Sequence, residues 1–440
     1  MKIAIIGGAG VRTPLLVSGL AASDLPIGEI TLYDVDQSRL EIIGGVAEQI
    51  VRRGEWRGRV TRCRSFAEAV AWADFVFTSI RVGGNERRIR DEATSQRHGI
   101  VGQETVGPAG FAMATRTIPQ MVRYARQIAD AAPRAWIVNF TNPVGMVTEA
   151  MRTASERVIG ICDTPTELFD AAAHALGLDA RRCAFDYFGL NHLGWLREVY
   201  SGGEPQLHRL WNDAERLQAI YKVPLFDSAS LRGLKLLPTE YVYYYDQPTR
   251  AFDNVRRAGR SRGQVIQELN GALFEALADP QADASKYDRV ARYRSYLSLR
   301  SGSYMEIESG AFDPKLPSAL SAMGGYDRIA VSVVRAIHFN THDVIPLSVA
   351  NHGNLPDLRD SDVVEVPCEV SANGARPLHV GRVPERVRPL LQQVKEYERL
   401  TVRAALAQSL DGARAALAVN PLVSSRDAAD ALVDDLAPLW

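Results

Sequence analysis

The first 34 residues set the strongest limit on what this chain can fold into. Lys2-Ile3-Ala4-Ile5-Ile6 is a short apolar run of the kind a parallel sheet buries on both faces, and it breaks at Gly7-Gly8-Ala9-Gly10. Glycines there let the backbone turn tightly and approach a bulky anion. Thr13-Pro14 before Leu15-Leu16-Val17 reads as a helix start, with Pro14 in the first turn, where a missing N–H costs nothing. A diphosphate would sit on the positive end of that helix. The next strand, Ile30-Thr31-Leu32-Tyr33, ends on Asp34, close to the spacing at which a dinucleotide-binding unit places an acid on the adenosine ribose. Thr13 stands where the usual fingerprint has its third glycine, so the glycines alone also fit an ordinary strand-to-helix turn. The full order of strand, turn, helix, strand and acid points to a dinucleotide held by Gly7, Gly8, Gly10 and Asp34. An acid at position 34 repels a 2′-phosphate and favours NAD over NADP.

The rest of the chain is long enough for a large core and two domains, expected at 1–195 and 196–440. With 51 basic and 52 acidic side chains, its formal net charge of −1 gives no electrostatic reason to expect nucleic acid or an anionic membrane as partner. No apolar run approaches the roughly 18 residues a membrane span needs, and Met1-Lys2 leads straight into a strand. A cytoplasmic location and a small-molecule partner are the expectation. Cys63, Cys162, Cys183 and Cys368 lack the spacing of a disulfide framework and read as thiols.

Strand and helix alternate through the first 161 residues, as in a doubly wound α/β domain. Strands are expected over 59–63, 74–80, 135–140 and 157–161, and helices over 38–53, 118–131 and 144–154. Ligands gather at the carboxyl ends of such strands. Arg81-Val82-Gly83-Gly84 should therefore face the cofactor, and Asn139 and Asn142 can offer amide donors and acceptors, although Asn142-Pro143 also fits an Asx turn. The charged stretch 85–92 fits a solvated helix face equally well. The glycine-rich loop 99–110, holding Gly102-Gln103-Glu104-Thr105, is a candidate wall of an active site.

Cys162-Asp163-Thr164-Pro165 follows the last parallel strand, and Asn191-His192 comes later in Gly189-Leu190-Asn191-His192. A thiolate and an imidazole at one strand end can hold a divalent transition metal, while each alone also fits core packing. Two ligands leave open the positions a catalytic metal requires. Beyond Tyr200 the alternation lapses. Tyrosines at 241, 243, 244 and 245 fit core packing or, as the minority reading, a catalytic phenol, and the basic cluster 256–262 precedes a helix over 265–278. The stretch 285–315 is mixed. A helix is expected over 329–337, strands over 344–349, 363–370 and 378–380, and helices over 389–408, 412–419 and after Ser424.

Together these motifs resemble glycoside hydrolase family 4, the NAD- and manganese-dependent glycosidases, and within it the 6-phospho-glucosidases. The likeness runs through Gly7-Gly8-Ala9-Gly10, Thr13-Pro14, Arg81-Val82-Gly83-Gly84, Gly102-Gln103-Glu104-Thr105, Asn139-Phe140-Thr141-Asn142-Pro143, Cys162 with Pro165, Gly189-Leu190-Asn191-His192 and Asn420-Pro421-Leu422-Val423. It implies a Rossmann-like sheet akin to lactate and malate dehydrogenases with a C-terminal α+β domain. It also implies NAD held by Gly7, Gly8, Gly10, Asp34, Arg81 and Asn142, and Mn²⁺ on Cys162 and His192. Substrate would lie on Arg88, Asn142, Asn191 and Arg262, with Tyr241 as base and Tyr244 as second choice. The implied reaction is hydrolysis of a 6-phospho-glucoside through oxidation at C3, deprotonation at C2, elimination of the aglycone, addition of water and re-reduction, outside the two-carboxylate scheme of most glycosidases. A homodimer or homotetramer is the implied assembly. Asp163 stands where the β-acting branch usually has Asn and resembles the acid of 6-phospho-α-glucosidases, whereas the tyrosine run and the C-terminal half look more like the β branch, which we favour. A malate- or lactate-type hydroxy-acid dehydrogenase is the alternative of another class, and a non-catalytic NAD sensor a third.

Overall fold

The computed structural model describes residues 1–278, 288–312 and 325–437. Its centre is a nine-stranded sheet in the order β13-β12-β11-β6-β5-β4-β1-β2-β3. The six parallel strands are β1 (Lys2–Ile6), β2 (Glu29–Tyr33), β3 (Arg59–Arg62), β4 (Phe75–Thr78), β5 (Trp136–Asn139) and β6 (Val158–Gly160). Ile3 pairs with Ile30 on one side and Phe75 on the other. Strands flanked on both sides and covered on both faces must be apolar throughout, and Ile3, Ala4, Ile5, Val76, Phe77, Ile137 and Val138 are all buried. Helices Thr13–Ala22, Gln37–Arg52 and Gly107–Ala131 are among those that connect these strands.

The sheet does not stop at residue 161. Beyond a hairpin of β7 (Cys183–Leu190) and β8 (Leu193–Ser201), edged by the short strands β9 (Glu204–Pro205) and β10 (Leu237–Pro238), the chain returns. Then β11 (Asp343–Ala350), β12 (Val363–Ser371) and β13 (Gly374–Pro377) extend the same sheet antiparallel from β6. The junction is Ser348 opposite Gly160, where a Cβ would lie 2.5 Å from the Thr148 hydroxyl and 2.8 Å from the Ser348 Cβ. Only glycine admits this crossing. The second half of the chain is thus built onto the first half's sheet.

Three features depart most from the sequence expectation. Helix Gly107–Ala131 begins eleven residues early, at Gly107-Pro108 rather than 118, because its first two turns are buried on all sides and show no polar face to mark a period. The last strand is β13, not 378–380. A tight turn pairs Ser371 with Gly374, so the ladder is used up by Pro377, a residue tolerated on an edge. The charged stretch 85–92 is not uniformly solvated: in helix Gly84–Arg97, Arg88, Asp91 and Glu92 are buried. Of the mixed stretch, helices Arg289–Gly302 and Glu306–Ser309 are described, while 285–287 and 313–315 lie outside the described residues.

Candidate active site

Most of the functional residues expected from sequence lie where the parallel strands end. At the end of β1, the Gly7 and Gly8 amides both donate to the Tyr33 carbonyl at 2.9 Å, and the Gly10 amide donates to the Gly7 carbonyl at 2.9 Å. Gly7 has φ +95°, and a Cβ there would collide with the Ser79 carbonyl. This turn therefore needs glycine for its conformation and for the closeness of β4. Asp34, at the end of β2, accepts from the Ala9 amide at 3.1 Å and from the Asp36 amide at 3.0 Å, and burial pushes its carboxyl up. The acid braces the glycine turn from below. Helix Thr13–Ala22 starts beside the turn with Pro14 in its first turn, leaving a helix N-terminus aimed at the same space.

The two asparagines after β5 take different parts. Asn139 is fully buried and spent internally: its Oδ1 accepts from the Thr78 hydroxyl and the Thr141 amide, both at 2.9 Å, and its Nδ2 donates to Thr148 at 3.0 Å. Asn142 instead has a buried Oδ1 with no hydrogen-bond partner. A buried orphan acceptor at a strand end is a place for a ligand's donor.

Cys162 follows β6 and is buried, which pushes its thiol well above the ordinary value. His192 occupies the two-residue turn between β7 and β8 with φ +65°, a conformation uncommon outside glycine. The strain is held from two sides: the Thr105 hydroxyl lies 2.8 Å from His192 Nδ1, and the Tyr241 ring stacks on the imidazole with centroids 3.7 Å apart. Burial lowers His192 to about 4, against the pull of Glu104 and Asp163, so the ring is neutral near pH 7. Burial, and then the Glu240 charge, raises the Tyr241 phenol well above its usual value; the Tyr304 hydroxyl counters this and Cys162 adds to it. Imidazole and phenol are therefore in contact, and the buried Cys162 thiol lies near enough for its charge to act on the phenol. Asp163 points to Arg12, 3.9 Å away, whose guanidinium lies over the Tyr326 ring.

Glu104, whose charge acts on His192, is itself held in a cluster of arginines. Arg81 and Arg88 both pair with Glu104, Arg88 at 3.0 Å, and Arg88 pairs again with Glu92 at 2.7 Å. Burial pushes Glu104 up, but Arg81 and Arg88 outweigh it and hold the carboxyl at about 2. Arg262 donates to the Ser303 carbonyl at 2.8 Å, the Ser303 hydroxyl at 2.7 Å and the Arg300 carbonyl at 2.9 Å. Burial and then the charge of nearby Arg300 bring Arg262 down to about 10. Such a cluster suits a dianion.

The tyrosine cluster divides by burial. Tyr243 is core, its hydroxyl donating to the Glu308 carbonyl at 2.9 Å, and Tyr244 is buried 6.1 Å from Tyr241 between ring centroids. Residues that the sequence reading assigned no role also converge here. Glu240 accepts from Thr164 at 3.0 Å and from Tyr304 at 3.1 Å, and burial raises it to about 7. Glu365, from β12, accepts from Asn191 at 3.1 Å and from Tyr187 at 2.8 Å, and is likewise raised to about 7 by burial. Glu104 and Thr105 stood inside a quoted motif; Glu365 and Tyr304 carry no sequence signal.

A metal would find two protein donors here, a thiol and an imidazole. Among the described residues no group of three or more His, Cys, Asp or Glu side chains forms a closed ligand set. Two such donors with open positions fit a borderline-soft divalent cation that takes its other ligands from substrate.

A doubly wound sheet carrying a dinucleotide-type turn beside a Cys–His–Tyr cluster defines a class of enzymes built on the dehydrogenase frame. A lactate dehydrogenase, at 13% identity and a TM-score of 0.55 over 92% of this chain and 98% of its own, shares that fold. The chain belongs to the family 4 glycosyl hydrolases: the family model matches residues 2–178 and the model of the family's C-terminal domain residues 187–423. It is 30% identical to a probable 6-phospho-beta-glucosidase of Bacillus subtilis over 99% of this chain and 95% of that one. It is 29% identical to a phospho-alpha-glucosidase of Clostridium acetobutylicum, covering 99% and 96%. The 6-phospho-beta glucosidase of Thermotoga maritima solved with manganese, NAD⁺ and glucose-6-phosphate superposes with a TM-score of 0.84 at 26% identity, covering 100% and 98%.

Proposed function

We propose that this enzyme hydrolyses 6-phospho-β-glucosides with bound NAD and a divalent cation, Mn²⁺ for preference. The observation that carries the reading is the meeting of Cys162, His192 and Tyr241 at the carboxyl end of a sheet whose first turn is braced by Asp34. When bound, NAD⁺ takes hydride from sugar C3 and later returns it, while the cation polarises the C3 oxygen and favours the phenolate form of a neighbouring tyrosine.

The chain's own residues do the rest. Gly7, Gly8 and Gly10 open the turn to the diphosphate, Asp34 receives the ribose hydroxyls, and Asn142 Oδ1 takes a donor from substrate or cofactor. Cys162 and His192 supply a thiolate and a neutral imidazole to the cation. Tyr241, fixed against His192, removes the C2 proton, with Tyr244 behind it as the second phenol. Arg88 and Arg262 bind the 6-phosphate, with Arg81 sharing Glu104 as counter-charge. Asn191, steadied by Glu365, reaches a sugar hydroxyl. The stack on His192 puts Tyr241 ahead of Tyr244 as base.

A 6-phospho-α-glucosidase is the second reading, favoured by Asp163 beside Cys162. Its carboxylate lies 3.9 Å from the Arg12 guanidinium, and the β reading stays ahead on the tyrosine run and the C-terminal half. We take the enzyme to work in the cytoplasm as a homodimer or homotetramer, as its family resemblance implies; among the described residues no helix is long and apolar enough to cross a membrane.

Turnover in D₂O tests the chemistry. The reading requires deuterium at C2 of the released glucose 6-phosphate; product without it would mean direct displacement at C1.

A further inference from the structure

We propose that Thr105 and Gln103 set the tautomer of His192, placing its proton on Nδ1 and leaving the Nε2 lone pair for the metal. The inference rests on the reading of His192 as a metal ligand. One donor in the relay has no choice. The backbone N–H of Thr105 lies 2.6 Å from Gln103 Oε1, and a peptide N–H can only donate, so the amide atom facing it is oxygen. The Thr105 hydroxyl is 2.8 Å from the same oxygen. Two oxygens that close need a proton between them, and an amide oxygen has none to give. Thr105 therefore donates its one proton to Gln103.

What remains on Thr105 Oγ1 is lone pairs, and His192 Nδ1 stands 2.8 Å away. The ring must be the donor. A neutral imidazole carries one N–H, so with Nδ1 protonated, Nε2 is bare. All three side chains are buried, with Gln103 at 7%, Thr105 at 8% and His192 at 7% exposure, so water does not rescue a mismatched pair. The turn that places Thr105 is itself closed by the Val106 amide donating to the Gln103 carbonyl at 3.3 Å. Outer partners of this kind orient metal-binding histidines and are worth about 10–100-fold in metal affinity.

The relay separates contact from tautomer. In Gln103→Leu the Thr105 hydroxyl stays beside His192 but loses its acceptor, turns its proton onto Nδ1 and drives the ring proton to Nε2. Gln103→Leu and Thr105→Val are each expected to weaken Mn²⁺ binding to the full-length, metal-free enzyme about 10–100-fold, read by the electron paramagnetic resonance signal of free Mn²⁺. Thr105→Ser, which keeps the hydroxyl, is expected to bind nearly as the parent does. The second readout uses the parent alone: the ¹⁵N spectrum of the metal-free enzyme should show His192, assigned through its contacts with the stacked Tyr241 ring, protonated on Nδ1. A proton on Nε2 in that spectrum, or Gln103→Leu binding Mn²⁺ with parental affinity, would overturn the proposal. A parent that binds no Mn²⁺ would sink the metal reading instead, while the ¹⁵N spectrum still decides the tautomer.

Discussion

The Tyr241 ring lies parallel to the His192 imidazole, at an interplanar angle of 0° with centroids 3.7 Å apart. The base of the proposed reaction is thus fixed by the residue proposed to hold the metal. Tyr241→Phe keeps the stacked ring and deletes only the hydroxyl. It should retain Mn²⁺ and NAD⁺ binding and KM while kcat falls by roughly 10²–10⁴. Steady-state kinetics beside metal titration checks this; an unchanged kcat would pass the role to Tyr244.

Arg262 gives three of its N–H bonds to the Ser303 and Arg300 segment, which fixes its fork before any phosphate arrives. Arg262→Lys keeps a charge but cannot make those bonds and present a fork together. The expected result is a rise of about tenfold or more in KM for the 6-phospho-glucoside with a smaller change in kcat. Equal loss on a non-phosphorylated glucoside would show that the residue does not read phosphate.

Glu365 couples the site to pH. Its folded pKa is raised from 4.5 to about 7 by burial, so the folded state holds the proton more tightly than the unfolded chain does. Stability from this group is fully present below about 4.5 and is lost as pH rises through about 7, on the order of 3 kcal/mol in all. Melting of the metal-free enzyme should therefore fall between pH 5 and pH 8, and Glu365→Gln should flatten part of that slope. A variant with the parent's slope would remove Glu365 as its source.

Lys395 is fully buried between Glu149, at 2.5 Å, and Glu398, at 2.9 Å, and also donates to the Val363 carbonyl. This knot ties helix Arg388–Ala407 to helix Val144–Met151, which follows Asn142-Pro143. Lys395→Met strands the buried Glu398 carboxylate beside the half-buried Glu149 and should cost about 3–5 kcal/mol. Denaturant unfolding measures it, and a cost under about 1 kcal/mol would mean that water reaches the carboxylates.

The parts of this site that sequence made legible are those whose chemistry is local. Gly7 and Asp34 are marked by the strand–turn–strand pattern around them, and Cys162 and His192 each close a strand within a few residues. Glu365 was not legible, because it reaches Asn191 only after β11 and β12 join the sheet some 174 residues away. Arg88 and Glu92 looked like a solvated charge run because their burial depends on Glu104, Ser261 and Gly263, which meet them only in three dimensions. Thr105 stood in an aperiodic loop, and nothing in its own neighbours announces a histidine 87 residues on. The start of helix Gly107–Ala131 is hidden in the sequence for the opposite reason: burial on all sides of its first turns erases the period.

In the proposed reaction NAD serves as a bound catalyst of glycoside cleavage. Release of p-nitrophenol from p-nitrophenyl 6-phospho-β-glucoside, with the α anomer alongside, measured with and without NAD⁺ and Mn²⁺ under reducing conditions, tests it most directly. The β anomer should be cleaved only when both are present, with no net accumulation of NADH. Cleavage without NAD⁺, or NADH formed in step with product, would contradict it.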